Sequence, residues 1–173
     1  VAEAFIPPTR RVHNIQLGPL TMAGYLQLDA ARSPFLYGDW PDGAGEQVEA
    51  LAAAVRVLSG EEMSTADFIG RIRPVEALQA IGTVRAVIDE AFSTVVAMRS
   101  RQKSSYTPPP HGFGWWLLLY VQMRNLGGTH AEVMATPLAR VFATSAVRCL
   151  LDGMEVRGMG YAQREVGDEG DQP

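Results

Sequence analysis

Apolar side chains recur at helical spacing along much of the chain, and polar or glycine-rich segments separate the apolar runs. In residues 46–58 the apolar positions lie three and four residues apart, and Gly60 follows where a helix C-cap belongs. A similar pattern runs over residues 74–98, where Gly82 is a weak point that costs about 1 kcal/mol relative to alanine. Both segments are predicted to be helices.

The predicted buried face of the second of these helices, residues 74–98, consists of its bulky apolar residues. Their spacing follows the helical period and places them on one side. The face comprises Leu78, Ile81, either Val84 or Arg85, Ile88, Phe92, Val95 and Val96.

Residues that cap helix N-termini mark the starts of several further helices. Thr21 precedes a short helix that ends at Ser33-Pro34, because the residue before proline avoids the helical region. Ser64 with Asp67, and Thr129 with Glu132, have the spacing of a helix N-cap, and the second pair is a capping box. A further helix is predicted to start at residue 115, where an apolar run begins that stops at Gly127-Gly128. The last helix is predicted to start at Thr136-Pro137, with threonine as the N-cap and proline as the first helical residue.

These patterns predict an all-α protein of about six helices with little regular structure at either end. Residues 1–20 lack a helical period and are interpreted as an extended arm, in which one short strand is an open alternative. The helical domain then spans residues 21–153, with a candidate subdomain boundary at the proline-rich segment 102–112. Residues 154–173 are rich in glycine and acidic residues, so a flexible tail is predicted there.

The loop at residues 33–45 carries more apolar surface than a loop of this length usually needs. Phe35, Leu36, Tyr37 and Trp40 lie there among prolines and glycines. One interpretation is that these side chains fold back over the core. The other is that they form an anchor for a partner protein, because exposed aromatic clusters mark interfaces. These four residues are the candidate partner-binding site.

Composition and motifs argue against catalysis, cofactor binding and metal binding. The net charge is −4, which is unfavourable for a protein that neutralises phosphates. Cys149 is the only cysteine and is predicted to be a small core residue, and the three histidines are far apart in sequence. No motif of a catalytic nucleophile, a phosphate loop or a dinucleotide site is present. No catalytic residue, cofactor or metal is therefore predicted, and the longest apolar run, residues 115–123, is too short to span a membrane.

A helix-turn-helix is the alternative, because residues 130–135 and 137–151 are two predicted helices joined by a tight turn. A recognition helix presents several basic or amide side chains to the bases, whereas this second helix offers only Arg140 and Arg148 and ends at Asp152. A DNA-associated function is thus the second hypothesis.

Two fragments together resemble small helical proteins encoded among the tail genes of long-tailed bacteriophages. They are GPLTMAGYLQLDAARSPF at residues 18–35 and FGWWLLLYVQMRNLGGTHAEVMATPLARVFA at residues 113–143. Members of that group are regarded as tail-assembly chaperones or minor tail-region components. The resemblance implies a non-enzymatic assembly protein of the host cytoplasm or the virion. Its partners would be the tape-measure protein, the tail-tube protein or further copies of itself.

Overall fold

The computed structural model describes residues 10–93, 97–99, 115–151 and 155–157, and helices dominate this part of the chain, which confirms the all-α class. Eight helices lie within the described residues, two more than predicted, together with two small two-stranded sheets. The helices are α1 (Met22–Ala30), α2 (Pro34–Tyr37), α3 (Ala44–Ser59), α4 (Thr65–Arg71), α5 (Pro74–Ser93), α6 (Trp115–Asn125), α7 (His130–Ala135) and α8 (Leu138–Leu151).

The chain divides into two compact units, Val1–Phe92 and Ser93–Pro173. The division therefore falls before the proline-rich segment 102–112, which lies outside the described residues, as do residues 1–9 and 158–173. The side chain of Cys149, predicted to be a core residue, is also outside the described part.

A β-hairpin lies within the segment that the sequence analysis interprets as an extended arm. Strands β1 (Arg10–Val12) and β2 (Ile15–Leu17) pair antiparallel, with Val12 opposite Ile15. Val12, Ile15 and Leu17 are buried, and the backbone N–H of Gly18 donates to the carbonyl oxygen of Leu58 at 2.8 Å. This hairpin is thus anchored to α3 of the same unit.

Helices α1 and α3 pack closely against each other. Thr21 caps α1 as predicted, because its side-chain oxygen accepts from the backbone N–H of Gly24. A Cβ atom placed on Gly24 would lie 3.0 Å from a methyl carbon of Val57 on α3, so the absence of a side chain allows this approach. The helix α3 ends at Gly60 in the left-handed conformation with φ of 69°, as the sequence predicts.

Helix α4 packs on α3 and begins with a capping box between Ser64 and Asp67. The carboxylate of Asp67 accepts from the backbone N–H and the hydroxyl of Ser64, and these hydrogen bonds hold the pKa of Asp67 below its ordinary value. Phe68, on the buried side of this helix, is one of the largest fully buried residues in the described part of the chain.

Helix α5 ends at Ser93, several residues before the predicted end near Met98. Residues Ala97–Arg99 instead form strand β3, which pairs antiparallel with strand β4 (Glu155–Arg157). Both strands belong to the second unit. Residues 155–157 of the segment predicted to be a flexible tail thus form a strand, because pairing with a distant strand satisfies backbone groups that local sequence cannot.

Helices α6, α7 and α8 form the rest of the described second unit, and α6 packs on both of the others. Gly127, with φ of 94°, follows α6 at the predicted stop. The buried face of α8 includes a polar contact, in which the hydroxyl of Ser145 donates to the side-chain oxygen of Gln122 on α6 at 2.6 Å. Its apolar buried residues are Leu138, Val141, Phe142 and Ala146.

The start of α8 differs from the predicted one. The hydroxyl of Thr136 donates to the carbonyl oxygen of Glu132 at 2.6 Å, so it completes α7 and does not cap α8. Pro137 precedes the first helical residue, Leu138, and its carbonyl oxygen accepts from the backbone N–H of Val141. The turn between the two helices is consequently one residue longer than the sequence pattern indicates.

Removal of the Thr129 hydroxyl should destabilise α7. The side-chain oxygen of Thr129 accepts from the backbone N–H of Glu132, whose carboxylate in turn accepts from the backbone N–H of Thr129. We expect Thr129→Ala to lower the free energy of unfolding by about 1 kcal/mol, as loss of an N-cap typically does. Thr144→Ala is the matched control, because the Thr144 hydroxyl only donates to the carbonyl of Arg140 within α8. Equal denaturation midpoints for the two variants would contradict the cap.

Candidate interaction surfaces

The 33–40 turn, defined as residues 33–40, places one aromatic ring in the core of the first unit and a second ring against it. Pro34 opens the single helical turn α2, and Gly38, with φ of 81°, ends it. The Phe35 side chain is buried, and Trp40 packs edge-to-face on it, with ring centroids 4.9 Å apart. Trp40 itself is only half-buried, so part of the indole remains at the surface.

Tyr37 in the same turn is held in place although 49% of the residue is exposed. Its hydroxyl donates to a carboxylate oxygen of Asp29 on α1, and this hydrogen bond raises the pKa of Tyr37 above its ordinary value. The guanidinium of Arg32 lies 5.8 Å from the centroid of the ring. The ring is thus oriented before any partner arrives, so binding through it would require little further ordering.

The four candidate residues of this turn occupy different environments. Phe35 is a core residue, which agrees with the interpretation that the loop folds back over the core. Leu36 is half-buried, and Tyr37 and Trp40 retain accessible ring surface. The structure therefore brings Phe35 and Trp40 together, whereas Tyr37 contacts Asp29 and Arg32.

A second surface, on α5, was missed because the buried face of that helix was assigned to the bulky residues. Leu78 is 78% exposed, and Val75, one turn earlier, is 84% exposed. The buried positions of α5 are Ala80, Val84, Val87, Ile88 and Ala91. These also follow the helical period, and the two alanines among them are the signal that could have indicated the correct face.

A polar hollow of about 230 Å³ lies between the β1–β2 hairpin and α5 in the first unit. At its rim, Nδ1 of His13 is 3.9 Å from a carboxylate oxygen of Glu76. The lining also includes Arg11, Gln79 and Thr83. Basic and acidic side chains therefore both line the hollow, so its charge favours neither an anionic nor a cationic ligand.

The outward side of α8 in the second unit combines basic and apolar residues. Arg140 and Arg148 are exposed, as are Val147 and Leu151. Exposed aliphatic side chains near the arginines differ from the polar face that reads bases in a DNA groove. His130, at the start of α7, is exposed, and its Nδ1 lies 3.0 Å from the hydroxyl of Tyr120.

In the part of the chain that the structure describes, no group of three or more His, Cys, Asp and Glu side chains could hold a metal ion. None of the helices in that part is long and apolar enough to cross a membrane. Comparison with protein-family models, with curated proteins and with solved structures finds no match to this chain.

Proposed function

We propose that this protein is a non-enzymatic binding protein that acts through contacts with other proteins, and that the 33–40 turn is its contact surface. The observation that carries the proposal is the half-exposed Tyr37 ring, fixed by Asp29 and Arg32. Aromatic side chains that are accessible and already oriented are frequent at the energetic centres of interfaces. Trp40, which is half-buried in the same turn, is the second ring of the proposed contact surface.

The proposed partners are tail-region proteins of a long-tailed bacteriophage, with the tape-measure and tail-tube proteins as first candidates. This narrower proposal rests on the resemblance of residues 18–35 and 113–143 to proteins encoded among phage tail genes. The helical fold is compatible with it. An assembly chaperone would bind its partner and release it, whereas a virion component would stay bound, and both use a surface rather than a catalytic centre.

The genomic neighbourhood and one binding assay test the partner class. We expect a gene for a tape-measure or tail-tube protein to lie near the gene for this chain, and the purified product of that gene to bind the full chain. Isothermal titration calorimetry of the two purified proteins measures the affinity. A neighbourhood without tail genes, or purified tail proteins that fail to bind, would contradict the phage proposal.

Removal of a ring from the 33–40 turn should weaken binding and leave the chain folded. We expect Tyr37→Ala and Trp40→Ala each to reduce the affinity for the partner by about 1–2 kcal/mol, as loss of an interface hot spot does. Tyr37→Phe should have a smaller effect, because it keeps the ring and removes only the hydrogen bond to Asp29. Tyr120→Ala, on α6 of the second unit, is the control at another partly exposed tyrosine.

The readouts are the calorimetric dissociation constant and the helical signal in circular dichroism, measured on the same samples. Tyr37→Ala and Trp40→Ala should retain the helical signal of the unchanged chain. Loss of that signal, with normal binding by the protein that remains folded, would show that these rings serve only the core and would overturn the proposed contact surface.

A further inference from the structure

Arg32, which lies between α1 and the 33–40 turn, has a backbone conformation that favours glycine. Its φ is 48°, in the left-handed region, where the Cβ atom of any residue other than glycine is crowded. This conformation closes the end of α1, because it lets the backbone N–H of Ser33 donate to the carbonyl oxygen of Leu28 at 2.9 Å. Glycine is the usual residue at such a helix end, so the reason for arginine must lie in its side chain.

Two effects within the fold favour a positive side chain at this position, and neither requires arginine. A cation stabilises the C-terminal end of a helix through the helix dipole, which lysine also does. The Arg32 guanidinium lies 5.8 Å from the centroid of the Tyr37 ring, and an ammonium group can make a contact of this kind as well. Arginine differs from lysine in its planar fork of five N–H donors, which matches the two oxygens of a carboxylate.

The fork of Arg32 is available to a partner protein. Arg32 is exposed, and it forms no ion pair with any residue that the structure describes. The carboxylate of Asp29, one helical turn earlier, accepts from the hydroxyl of Tyr37 instead. Contact with the Tyr37 ring orients the guanidinium, so binding through it would require little further ordering.

Arg32 also completes a set of residue types that is characteristic of binding surfaces. It contacts Tyr37, and Trp40 follows in the same turn. Arginine, tyrosine and tryptophan are the residue types most enriched among those that dominate the binding energy of interfaces. All three therefore occur within nine residues of this chain, and each retains accessible surface.

We propose that Arg32 is the charged anchor of the contact surface and binds a carboxylate of the partner protein through two parallel hydrogen bonds. Asp39 and Asp42 are exposed nearby in the sequence and would repel an acidic patch, so the partner group is a single Asp or Glu side chain aligned with the guanidinium. This inference rests on the proposed function, to which it adds a binding residue and the chemistry of the partner group.

Calorimetry of the full chain with the purified tail-tube or tape-measure protein tests the role of Arg32 in binding. We expect Arg32→Lys to weaken the affinity at least about fivefold, because an ammonium group cannot form the paired hydrogen bonds, and Arg32→Ala at least about tenfold. Arg85, an exposed arginine on α5 of the same unit, supplies the matched controls. Arg85→Lys and Arg85→Ala should leave the affinity unchanged, and circular dichroism verifies that each variant is folded.

Thermal unfolding separates this role from a purely structural one. Arg32→Lys should keep the thermal midpoint of the unchanged chain to within about 1 °C, because it retains the charge at the end of α1. Arg32→Gly should unfold about 2–4 °C above Arg32→Ala, because both variants lack the guanidinium and only glycine relieves the left-handed strain. Arg32→Gly should nevertheless bind as weakly as Arg32→Ala. A residue that served only the fold would lose binding and stability together.

Replacement of each Asp and Glu of the tail protein by its amide identifies the partner carboxylate. One such replacement should weaken binding to the unchanged chain about tenfold. The same replacement should weaken binding to Arg32→Ala less than about twofold, because the group with which the carboxylate pairs is already absent.

Three results would overturn the inference and leave the proposed function intact, provided that Tyr37→Ala and Trp40→Ala still weaken binding. The first is an affinity that Arg32→Lys leaves unchanged. The second is a thermal midpoint of Arg32→Gly no higher than that of Arg32→Ala, since this removes the argument from strain. The third is a tail protein in which no carboxylate is coupled to Arg32. Tail proteins that fail to bind the unchanged chain would instead overturn the proposed function, and this inference with it.

Discussion

Replacement of Phe68 by alanine is expected to lower the free energy of unfolding by about 3–5 kcal/mol, the range found for deletion of a buried phenyl ring. Phe68 is 1% exposed and lies on α4, which packs on α3. Deletion removes the contacts of the ring and leaves a cavity that neighbouring helices fill only in part. This is the largest effect expected for a single substitution in the first unit.

Ile69 is the matched control for Phe68, because it is the next residue on the same helix and is 54% exposed. We expect Ile69→Ala to change the free energy of unfolding by less than about 1 kcal/mol, as substitutions at exposed positions usually do. Urea denaturation followed by circular dichroism measures both variants. If both substitutions lowered the free energy of unfolding equally, the face of α4 that packs on α3 would be assigned incorrectly.

The second large effect is expected at Gly24, where any side chain must enter the contact between α1 and α3. A Cβ atom there would lie 3.0 Å from a methyl carbon of Val57 and 3.3 Å from the side-chain oxygen of the Thr21 cap. We expect Gly24→Val to lower the free energy of unfolding by about 1–3 kcal/mol, because the branched side chain overpacks the contact and disturbs the cap.

Two comparisons identify overpacking as the cause of the Gly24 effect. Gly70→Val on α4 introduces the same side chain into open space and should lower the free energy of unfolding less than Gly24→Val does. The double variant with Val57→Ala should recover part of the stability lost in Gly24→Val, because Val57 supplies the nearest atom. Equal losses for Gly24→Val with and without Val57→Ala would place the cause outside the contact between α1 and α3.

The sequence predicted helix ends well because the groups involved lie within a few residues of one another. Thr21 and Thr129 each accept a hydrogen bond from a backbone N–H three residues later, so residue type and spacing define the cap. Gly60 and Gly127 adopt positive φ angles at predicted helix stops, which glycine does without steric strain. Among the capping residues Thr136 is the exception, because its hydroxyl can bond in either direction and donates to the preceding helix.

The candidate binding residues could be predicted only in part. Their composition identified the 33–40 turn as unusual, since four bulky apolar residues occur in a short segment. The sequence could not separate Phe35, which is buried, from Tyr37, which is half-exposed. That difference depends on which side of a single helical turn meets the core, and such a short turn has no period from which to read it.

By itself, the sequence determined the helical class, the capped starts of α1, α4 and α7, and the glycine stops after α3 and α6, because these depend on interactions between neighbouring residues. Only the tertiary structure decided which face of α5 is buried and which distant residues form a sheet. Val84 and Ile88 belong to both the predicted and the observed buried face of α5, and contacts in the fold bury Ala80 and Val87 beside them and leave Leu78 exposed. Strands β3 and β4 likewise form because each finds its hydrogen-bonding partner far along the chain.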